Sequence, residues 1–181
     1  INQLALPHAF EVNTLHDIDT VCDAISHMVV RGAGLIGATA GYGMWVAATQ
    51  APNDSLESFN TYIQLQAKRL QATRPTASNL AWAIDRQLKN IKLGNTIAEK
   101  IALAKAGAQN IADEDAQYCQ AIGQHGLDLI KKIAANKLGQ TINVLTHCNA
   151  GWLAFVDFGS ALSPIFAAHD AGIPIHVWVD E

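Results

Sequence analysis

A short polar segment after a predicted strand carries the side chain best suited to catalysis. Thr146-His147-Cys148-Asn149-Ala150-Gly151 follows an apolar run of strand length. Open parallel sheets bind their ligands beyond the carboxyl ends of the strands, so this position favours function. A thiol there can donate or accept a proton near neutral pH, or stabilise charge beside a reacting carbon. Cys148, flanked by polar His147 and Asn149, is therefore the candidate catalytic residue.

A hydrolytic Cys/His pair is an alternative use of the same segment. His147 directly precedes Cys148, and adjacent side chains on an extended strand point to opposite faces, which disfavours a direct pair. The other two cysteines, Cys22 and Cys119, are interpreted as buried apolar fillers. We expect Trp152, which follows the segment, to line its pocket.

Two arginine-bearing turns precede predicted helices and suit an anion. Arg31-Gly32-Ala33-Gly34 comes before an apolar helix, where free backbone N–H groups and the positive dipole end favour negative charge. Arg31 adds a bidentate phosphate donor. Arg74 precedes Pro75 at a second helix start, whose N-terminal dipole likewise favours an anion. The alternatives are an ordinary turn and a helix cap with solvated arginines. Gly32-x-Gly34-x-x-Gly37 has the spacing of the dinucleotide-binding motif. A helix rather than a strand is predicted before it, so dinucleotide binding is rejected.

Composition excludes several classes of protein. The 181 residues are half apolar and 15% charged, with a net charge of −4, and the lysines and arginines are scattered, which argues against nucleic-acid binding. Three cysteines without a C-x-x-C pair, and histidines without ligand spacing, predict no metal site and a reducing, cytoplasmic setting. No charge occurs from 32 to 53, but this stretch is too poor in large apolar residues to span a membrane.

Apolar periodicity predicts a series of helices over the first part of the chain. A short strand is expected at Ala9–Val12. Helix starts are expected at Asp17 or Asp19, near Leu35, at an Asp54/Glu57 capping box, at Pro75 or Thr76, and at Asn95 or Thr96. The acidic run Asp113-Glu114-Asp115 is interpreted as the first turn of another helix. The apolar residues expected to face inward are Ile18, Val21, Cys22, Ile25 and Met28, then Leu56, Phe59, Ile63 and Leu70, then Leu80, Ala83, Ile84 and Leu88, then Ile97 and Ile101, and finally Ile111, Tyr118, Ile122, Leu129 and Ile133.

The pattern changes at Gly139. Strands are predicted at Thr141–His147 and Ile173–Val179, with a helix at Leu162–Ala171 between them, which is one parallel βαβ unit. The predicted fold class is α/β: a mostly helical N-terminal domain over 1–138, then the first βαβ unit of a truncated Rossmann-like domain over 139–181. One such unit does not make a stable sheet alone, so we expect the chain to be a fragment.

Taken in order, these segments resemble the methylthioribose-1-phosphate isomerase family over nearly the whole chain. The matching stretches are Met28–Ala33, Ala72–Leu80 with Trp82–Arg86, Leu145–Gly151, and the terminal Val177-x-Val179-Asp180-Glu181. His-Cys-Asn-Ala-Gly is the most diagnostic of them.

The resemblance implies a cofactor-free and metal-free aldose–ketose isomerase of methionine salvage that acts on a sugar phosphate and forms homodimers. The cysteine matching Cys148 stabilises the transition state or transfers a proton, and an aspartate further downstream donates a proton. Arg31, Gly32, Ala33 and Arg74 match substrate-binding residues. Asn149 is also expected to bind the substrate. The expected site is a thiol at the strand tip facing an anion cradle of two arginine-bearing helix starts.

Two departures from the family pattern affect this expectation. Gly34 stands where the family usually has proline, and glycine loosens the turn. The downstream aspartate is absent, so we expect the chain alone to be inactive and to need the missing C-terminal half as a partner. The rival functions are a non-enzymatic regulatory subunit of the translation-initiation exchange factor, which lacks the His-Cys-Asn signature, and ribose-1,5-bisphosphate isomerase.

Overall fold

Helices dominate the chain, and only two short strands follow them. The computed structural model describes residues 1–180, so Glu181, which belongs to the predicted second domain and to the last matching stretch, lies outside the described residues. In chain order the elements are α1 (Ile18–Ser26), α2 (Ala33–Gln50), α3 (Leu56–Ala72), α4 (Ser78–Lys92), α5 (Ile97–Asn136), β1 (Ile142–Thr146), a 3-10 helix η1 (Trp152–Ala154), α6 (Ser163–Asp170) and β2 (Ile175–Val179). The predicted strand–helix–strand order is confirmed.

The chain forms two compact units, Ile1–Asp113 and a second that begins at Glu114. The division by compactness therefore falls inside α5. The change from helices to a sheet comes later, after Asn136.

The first unit buries a single apolar core. Its most deeply buried large side chains are Ile25, Met44, Phe59, Ile63, Leu70, Leu80 and Ile84. The small residues of α2 allow its neighbours to approach closely: a Cβ on Gly43 would lie 2.8 Å from Val21 Cγ1. The helix expected from near Leu35 is therefore present, and it packs tightly against its neighbours. Among residues 1–180, no helix is both long and apolar enough to cross a bilayer.

Helix starts agree with the predicted caps at two positions and differ at two. Asp17 caps α1, accepting from the Thr20 amide at 2.7 Å. Thr96 directly precedes α5, and its hydroxyl accepts from the Glu99 amide at 3.2 Å. The cap of α3 is Ser55, not Asp54, because the Ser55 hydroxyl accepts from the third helical amide. The helix expected from Pro75 or Thr76 begins only at Ser78.

Several apolar predictions near the helix ends are wrong. Met28 is 47% exposed, because α1 ends at Ser26 and the chain turns at Met28 with a φ of 58°. Leu56 is exposed because it occupies the first position of α3, beyond the packed turns. No strand forms at Ala9–Val12, where the Glu11 carbonyl accepts only from the Asn2 amide.

α5 replaces two predicted helices with one. The acidic run at 113–115 lies in its middle, so its interpretation as a first turn is wrong. The expected inward residues Tyr118, Ile122, Leu129 and Ile133 are exposed, and Cys119, Leu127 and Ile130 are buried instead. The helix therefore carries apolar residues on two faces, and the prediction chose the exposed one.

The second unit contains the sheet. β1 and β2 pair in parallel, with Ile142 opposite Ile175 and Thr146 opposite Val179. Ala168 of α6 packs with Leu127 and Ile130 of α5. The two helices are in close contact, since a Cβ on Gly126 would lie 2.5 Å from Pro164. The carboxyl ends of β1 and β2 therefore lie side by side.

Candidate functional site

Cys148 lies on an exposed turn just beyond β1. The strand ends at Thr146, and Cys148 has a φ of 69°, in the left-handed region that side chains other than glycine rarely adopt. Such a conformation costs about 1–3 kcal/mol and persists only where surrounding contacts impose it. Cys148 is exposed and free, and its neighbour Asn149 is exposed too. The thiol is thus open to a reactant.

Hydrogen bonds and close backbone packing hold this turn in place. The Ala150 amide donates to the Cys148 carbonyl at 3.1 Å, and the Ala150 carbonyl accepts from the Ser160 amide at 3.0 Å. Gly159, with a φ of 74°, lies so close that a Cβ there would be 2.6 Å from the carbonyl carbon of Gly151. Any side chain at Gly159 would displace the turn. The segment after η1 therefore holds the cysteine turn in place through Gly159 and Ser160.

Asp115 of α5 anchors the loop that follows η1. Its carboxylate accepts from the Val156 amide at 2.8 Å. Burial raises the pKa of Asp115 above its ordinary value, and the hydrogen bond from Val156 partly opposes that rise. Sequence reasoning missed this role. The sequence shows an acidic residue near a predicted apolar helix face, but this pattern does not identify the loop that the carboxylate binds.

His147 and Asp180 form a pair at the strand tips. Continuing the parallel register by one residue places them opposite each other, and the Asp180 amide donates to the Thr146 carbonyl at 2.9 Å. The His147 Nδ1 and Asp180 Oδ2 atoms are 3.4 Å apart. Both side chains are largely exposed. The sequence analysis predicted two parallel strands but no register between them, so it did not identify this pair.

The other two cysteines contrast with Cys148. Cys22 and Cys119 are buried, as predicted. Burial raises the pKa of Cys119 to about 11, with the Asp115 and Asp157 carboxylates adding to the effect. Burial also raises the pKa of Cys22. Both thiols are therefore poor sources of thiolate.

Arg31 lies in the turn before α2 and is held by Gln3. Its Nε donates to Gln3 Oε1, and the Gln3 amide nitrogen donates to the Arg31 carbonyl, each at 3.3 Å. Gln3 is 5% exposed and its backbone amide bonds to the Val29 carbonyl. Sequence reasoning did not identify Gln3, because nothing in its local pattern links it to a residue so far along the chain.

The helix starts next to Arg31 and Arg74 share the absence of a side-chain cap. Gly32 is the N-cap of α2 with a φ of 108°, which favours glycine, and it forms no side-chain cap. Ala77, the N-cap of α4, forms none either. Arg74 is half-buried in the turn between α3 and α4, and its carbonyl accepts from the Ala77 amide. Both helices thus present amides in the first turn that no side chain caps.

These two helix starts lie against each other within the first unit. Gly37 of α2 and Asn79 of α4 approach so closely that a Cβ on Gly37 would be 3.3 Å from both the Asn79 Cβ and its carbonyl oxygen. The turn of Arg31, Gly32 and Ala33 precedes one of these packed helices, and the turn of Arg74 precedes the other. A positive helix end without a side-chain cap, with a guanidinium group in the preceding turn, suits a phosphate.

The described part of the chain contains no cluster of three or more His, Cys, Asp or Glu side chains able to hold a metal ion. Trp152, which we expected beside the cysteine turn, begins η1 and is about half exposed. Cys148 and Asn149 belong to the second unit, and the arginine-bearing turns belong to the first.

Comparison with known proteins gives one family. The model described as "Initiation factor 2 subunit family" matches residues 29–181. The chain is 51% identical over 181 residues to a methylthioribose-1-phosphate isomerase of Methylorubrum extorquens, and 47% identical over 182 residues to one of Escherichia coli. Each match covers 100% of this chain and 47% of the relative. The chain thus spans about half the length of the curated relatives it matches.

Two solved structures share the fold. A 5-methylthioribose 1-phosphate isomerase from Pyrococcus horikoshii matches with a TM-score of 0.84 and 34% identity, over 98% of this chain and 48% of that one. The translation initiation factor eIF-2B subunit delta from A. fulgidus matches with a TM-score of 0.83 and 33% identity, over 98% and 50%.

Proposed function

The chain belongs to the initiation factor 2 subunit family, and we propose that within it the chain is the N-terminal part of an aldose–ketose isomerase that converts 5-methylthioribose 1-phosphate to 5-methylthioribulose 1-phosphate. The observation that carries the proposal is the exposed Cys148 on a strained turn at the carboxyl end of β1. The names of relatives near 50% identity support the substrate.

The arginine-bearing helix starts are assigned to the phosphate. Phosphate binding at helix N-termini relies on free amides and the helix dipole, and both α2 and α4 begin without a side-chain cap. Arg31 and Arg74 add charge-assisted donors, while Gly32 and Ala33 let the backbone approach the ligand. The Gln3 contact holds Arg31 in one orientation.

The chemistry defines what the enzyme must do. Phosphate on the anomeric oxygen prevents spontaneous ring opening, so an acid must protonate the ring oxygen. Overall, the ring oxygen gains a proton, the 2-hydroxyl loses one, and one hydrogen moves from C2 to C1. Cys148 serves this reaction either by carrying that hydrogen as a proton or by stabilising the charge that develops at C1. Asn149 is assigned to hydrogen bonding with the sugar.

The remaining assignments concern the whole protein. Residues 1–138 are proposed as a helical N-terminal domain and 139–181 as the start of a Rossmann-like domain. The relatives are about twice as long as this chain, and the aspartate expected as proton donor is assigned to the part of the protein that corresponds to their second half. The protein is proposed to be a cytoplasmic homodimer. Parallel sheets are normally covered on both faces, which supports a larger sheet built on β1 and β2.

A regulatory subunit of the translation-initiation exchange factor is the second candidate. The observation in its favour is the A. fulgidus subunit delta structure, which matches about as well as the Pyrococcus horikoshii isomerase. The thiol of Cys148 on its held turn argues against this candidate, because protein contacts alone do not require a strained cysteine. Ribose-1,5-bisphosphate isomerase is a third candidate, and it requires a second phosphate site.

The test uses the full-length protein and separate assays. Purified protein is given 5-methylthioribose 1-phosphate or ribose 1,5-bisphosphate, and ketose formation is followed by ¹³C NMR. Turnover of the first sugar, with the second converted at least about tenfold more slowly, is the expected result. Preference for the bisphosphate would assign the third candidate. No turnover of either sugar, together with binding of initiation-factor subunits, would overturn the isomerase assignment.

A further inference from the structure

A cavity in the first unit contains a buried lysine and is separate from the proposed phosphate site. It measures about 270 Å³ and lies among α3, the end of α4 and the start of α5. Lys100, from the first turn of α5, lines it and is only 6% exposed. Lysine is almost never buried to this degree unless its ammonium group is paired. The burial of Lys100 beside this cavity is therefore unusual.

The position of Lys100 is fixed by its surroundings. Its Nζ donates to the carbonyl of Ile91 at 3.0 Å, close to the end of α4. Gly94, in the turn between the helices, packs directly against it: a Cβ there would lie 2.8 Å from the Lys100 backbone nitrogen and 2.9 Å from its Cγ. The bond to Ile91 satisfies one of the three ammonium donors, and its carbonyl acceptor carries no formal charge. Capping the end of α4 thus accounts for only part of what this side chain can bind.

The charge around the cavity has one sign. Lys89 and Lys92 also line it, and no carboxylate is among its lining residues in the described part of the chain. Within residues 1–180 no carboxylate forms an ion pair with Lys100 either. Removing an ammonium from water without a counter-charge is costly, and an anion that enters the cavity would offset this cost. The exposed Asn60 and Gln64 also line the cavity and can donate from their side-chain amides.

The remaining lining is apolar. Ile63, Leu88 and Ile91 form it, so a ligand that carries only charge would leave this surface without a partner. The volume is slightly below the range of about 300–1,000 Å³ that is usual for small-molecule sites, which limits the ligand to a small metabolite. We infer that this cavity binds a small organic anion, whose acid group pairs with Lys100 and whose apolar body lies on the isoleucine and leucine side chains.

The experiment titrates the full-length protein, labelled at isoleucine δ1 methyl groups, with hexanoate and with the neutral analogue hexanol. We expect saturable NMR shifts of the Ile63 and Ile91 methyls with hexanoate, fitted by a Kd below about 10 mM, and at least about tenfold weaker binding of hexanol. Inorganic phosphate should also bind more weakly than hexanoate. Equal binding of hexanoate and hexanol, or no saturable shift, would overturn the proposal, and tighter binding of phosphate would overturn its apolar part.

Matched variants test the role of Lys100. Lys100→Met keeps the length and removes the charge, and it should weaken hexanoate binding by about tenfold or more. Lys100→Arg should retain binding, and so should Lys131→Met, which changes an exposed lysine in the second unit. Unchanged binding in Lys100→Met would contradict the assignment. If Lys100→Met does not fold, the comparison of hexanoate with hexanol on the unmodified protein still decides the outcome. Isomerase activity enters neither measurement, so failure of the proposed function leaves this test intact.

Discussion

Gly37 of α2 lies against Asn79 of α4, so close that a Cβ on Gly37 would be 3.3 Å from both the Asn79 Cβ and its carbonyl oxygen. This approach packs the N-terminal parts of the two helices together, and the turns of Arg31 and Arg74 precede those parts. We therefore expect this glycine to influence the geometry of the proposed phosphate site, although it carries no chemistry itself.

Gly37→Ala should therefore impair substrate binding. The added Cβ would be 3.3 Å from Asn79, and overpacking of this kind costs about 1–3 kcal/mol, more than the helix propensity of about 1 kcal/mol that alanine contributes. We expect a higher KM and a modest loss of stability in denaturant unfolding of the full-length protein. Gly41→Ala crowds the end of the Ile111 side chain in the same helix, and should lower stability without changing KM. Equal KM changes in both variants would refute this role of Gly37.

Gln3→Met should loosen Arg31. The substitution keeps the volume and removes both hydrogen bonds between the two residues. Because Arg31 is assigned to the phosphate rather than to the reacting carbons, KM should rise by about threefold to tenfold while kcat changes little. Steady-state kinetics of the full-length protein measures both. Gln140→Met, at an exposed position of the second unit, is the control and should leave KM unchanged.

Asp115 should make stability depend on pH. Burial raises its pKa above 3.8, so the native state binds this proton more tightly than the unfolded state. The stability of the wild type, relative to the non-titrating Asp115→Asn variant, should therefore fall as the pH rises from 3.8 through the native pKa, and then stay level. Urea unfolding across this pH range tests the sign. A relative stability that rises with pH would contradict it.

Asp115→Ala removes the acceptor of the Val156 amide as well. We expect a loss of about 1–2 kcal/mol in the free energy of unfolding, because the amide is left without its partner. Asp128→Ala changes an exposed aspartate of the same helix and should cost less. Loss of kcat in Asp115→Ala, with KM retained, would indicate that the anchored loop positions Cys148.

Alkylation should distinguish the three cysteines. Cys148 is exposed, whereas burial raises the pKa of Cys119 to about 11 and also raises that of Cys22. Iodoacetamide should label Cys148 at least about tenfold faster than either of the others at neutral pH. Peptide mapping by mass spectrometry of the native full-length protein measures the three rates. Faster labelling of Cys119 would show that its burial does not protect it.

The sequence was enough to predict most elements, because apolar periodicity and capping residues act locally. Asp17 and Thr96 cap helices as predicted, and β1, α6 and β2 occur in the predicted order. Thr146 and Val179 end paired strands. The Arg31, Arg74 and Cys148 turns all lie at ends of elements, as their sequence context indicated.

Tertiary contacts account for what the sequence did not predict. α5 carries apolar residues on two faces, and periodicity alone does not say whether Cys119 or Tyr118 faces the core. The bonds of Gln3 to Arg31 and of Asp115 to Val156 join residues far apart in the chain. The left-handed φ of Cys148 also depends on neighbours, since the packing of Gly159 against Gly151 supports that turn.

The central claim is that the Cys148 sulfur takes part in isomerisation, and the most direct measurement compares wild-type and Cys148→Ser full-length protein. Conversion of 5-methylthioribose 1-phosphate gives kcat, and calorimetry gives the Kd of the sugar. We predict that kcat falls by about 10²–10⁴-fold while Kd stays within about threefold, and that Cys119→Ala retains activity. A Cys148→Ser protein that turns over the sugar at close to the wild-type rate would contradict the account.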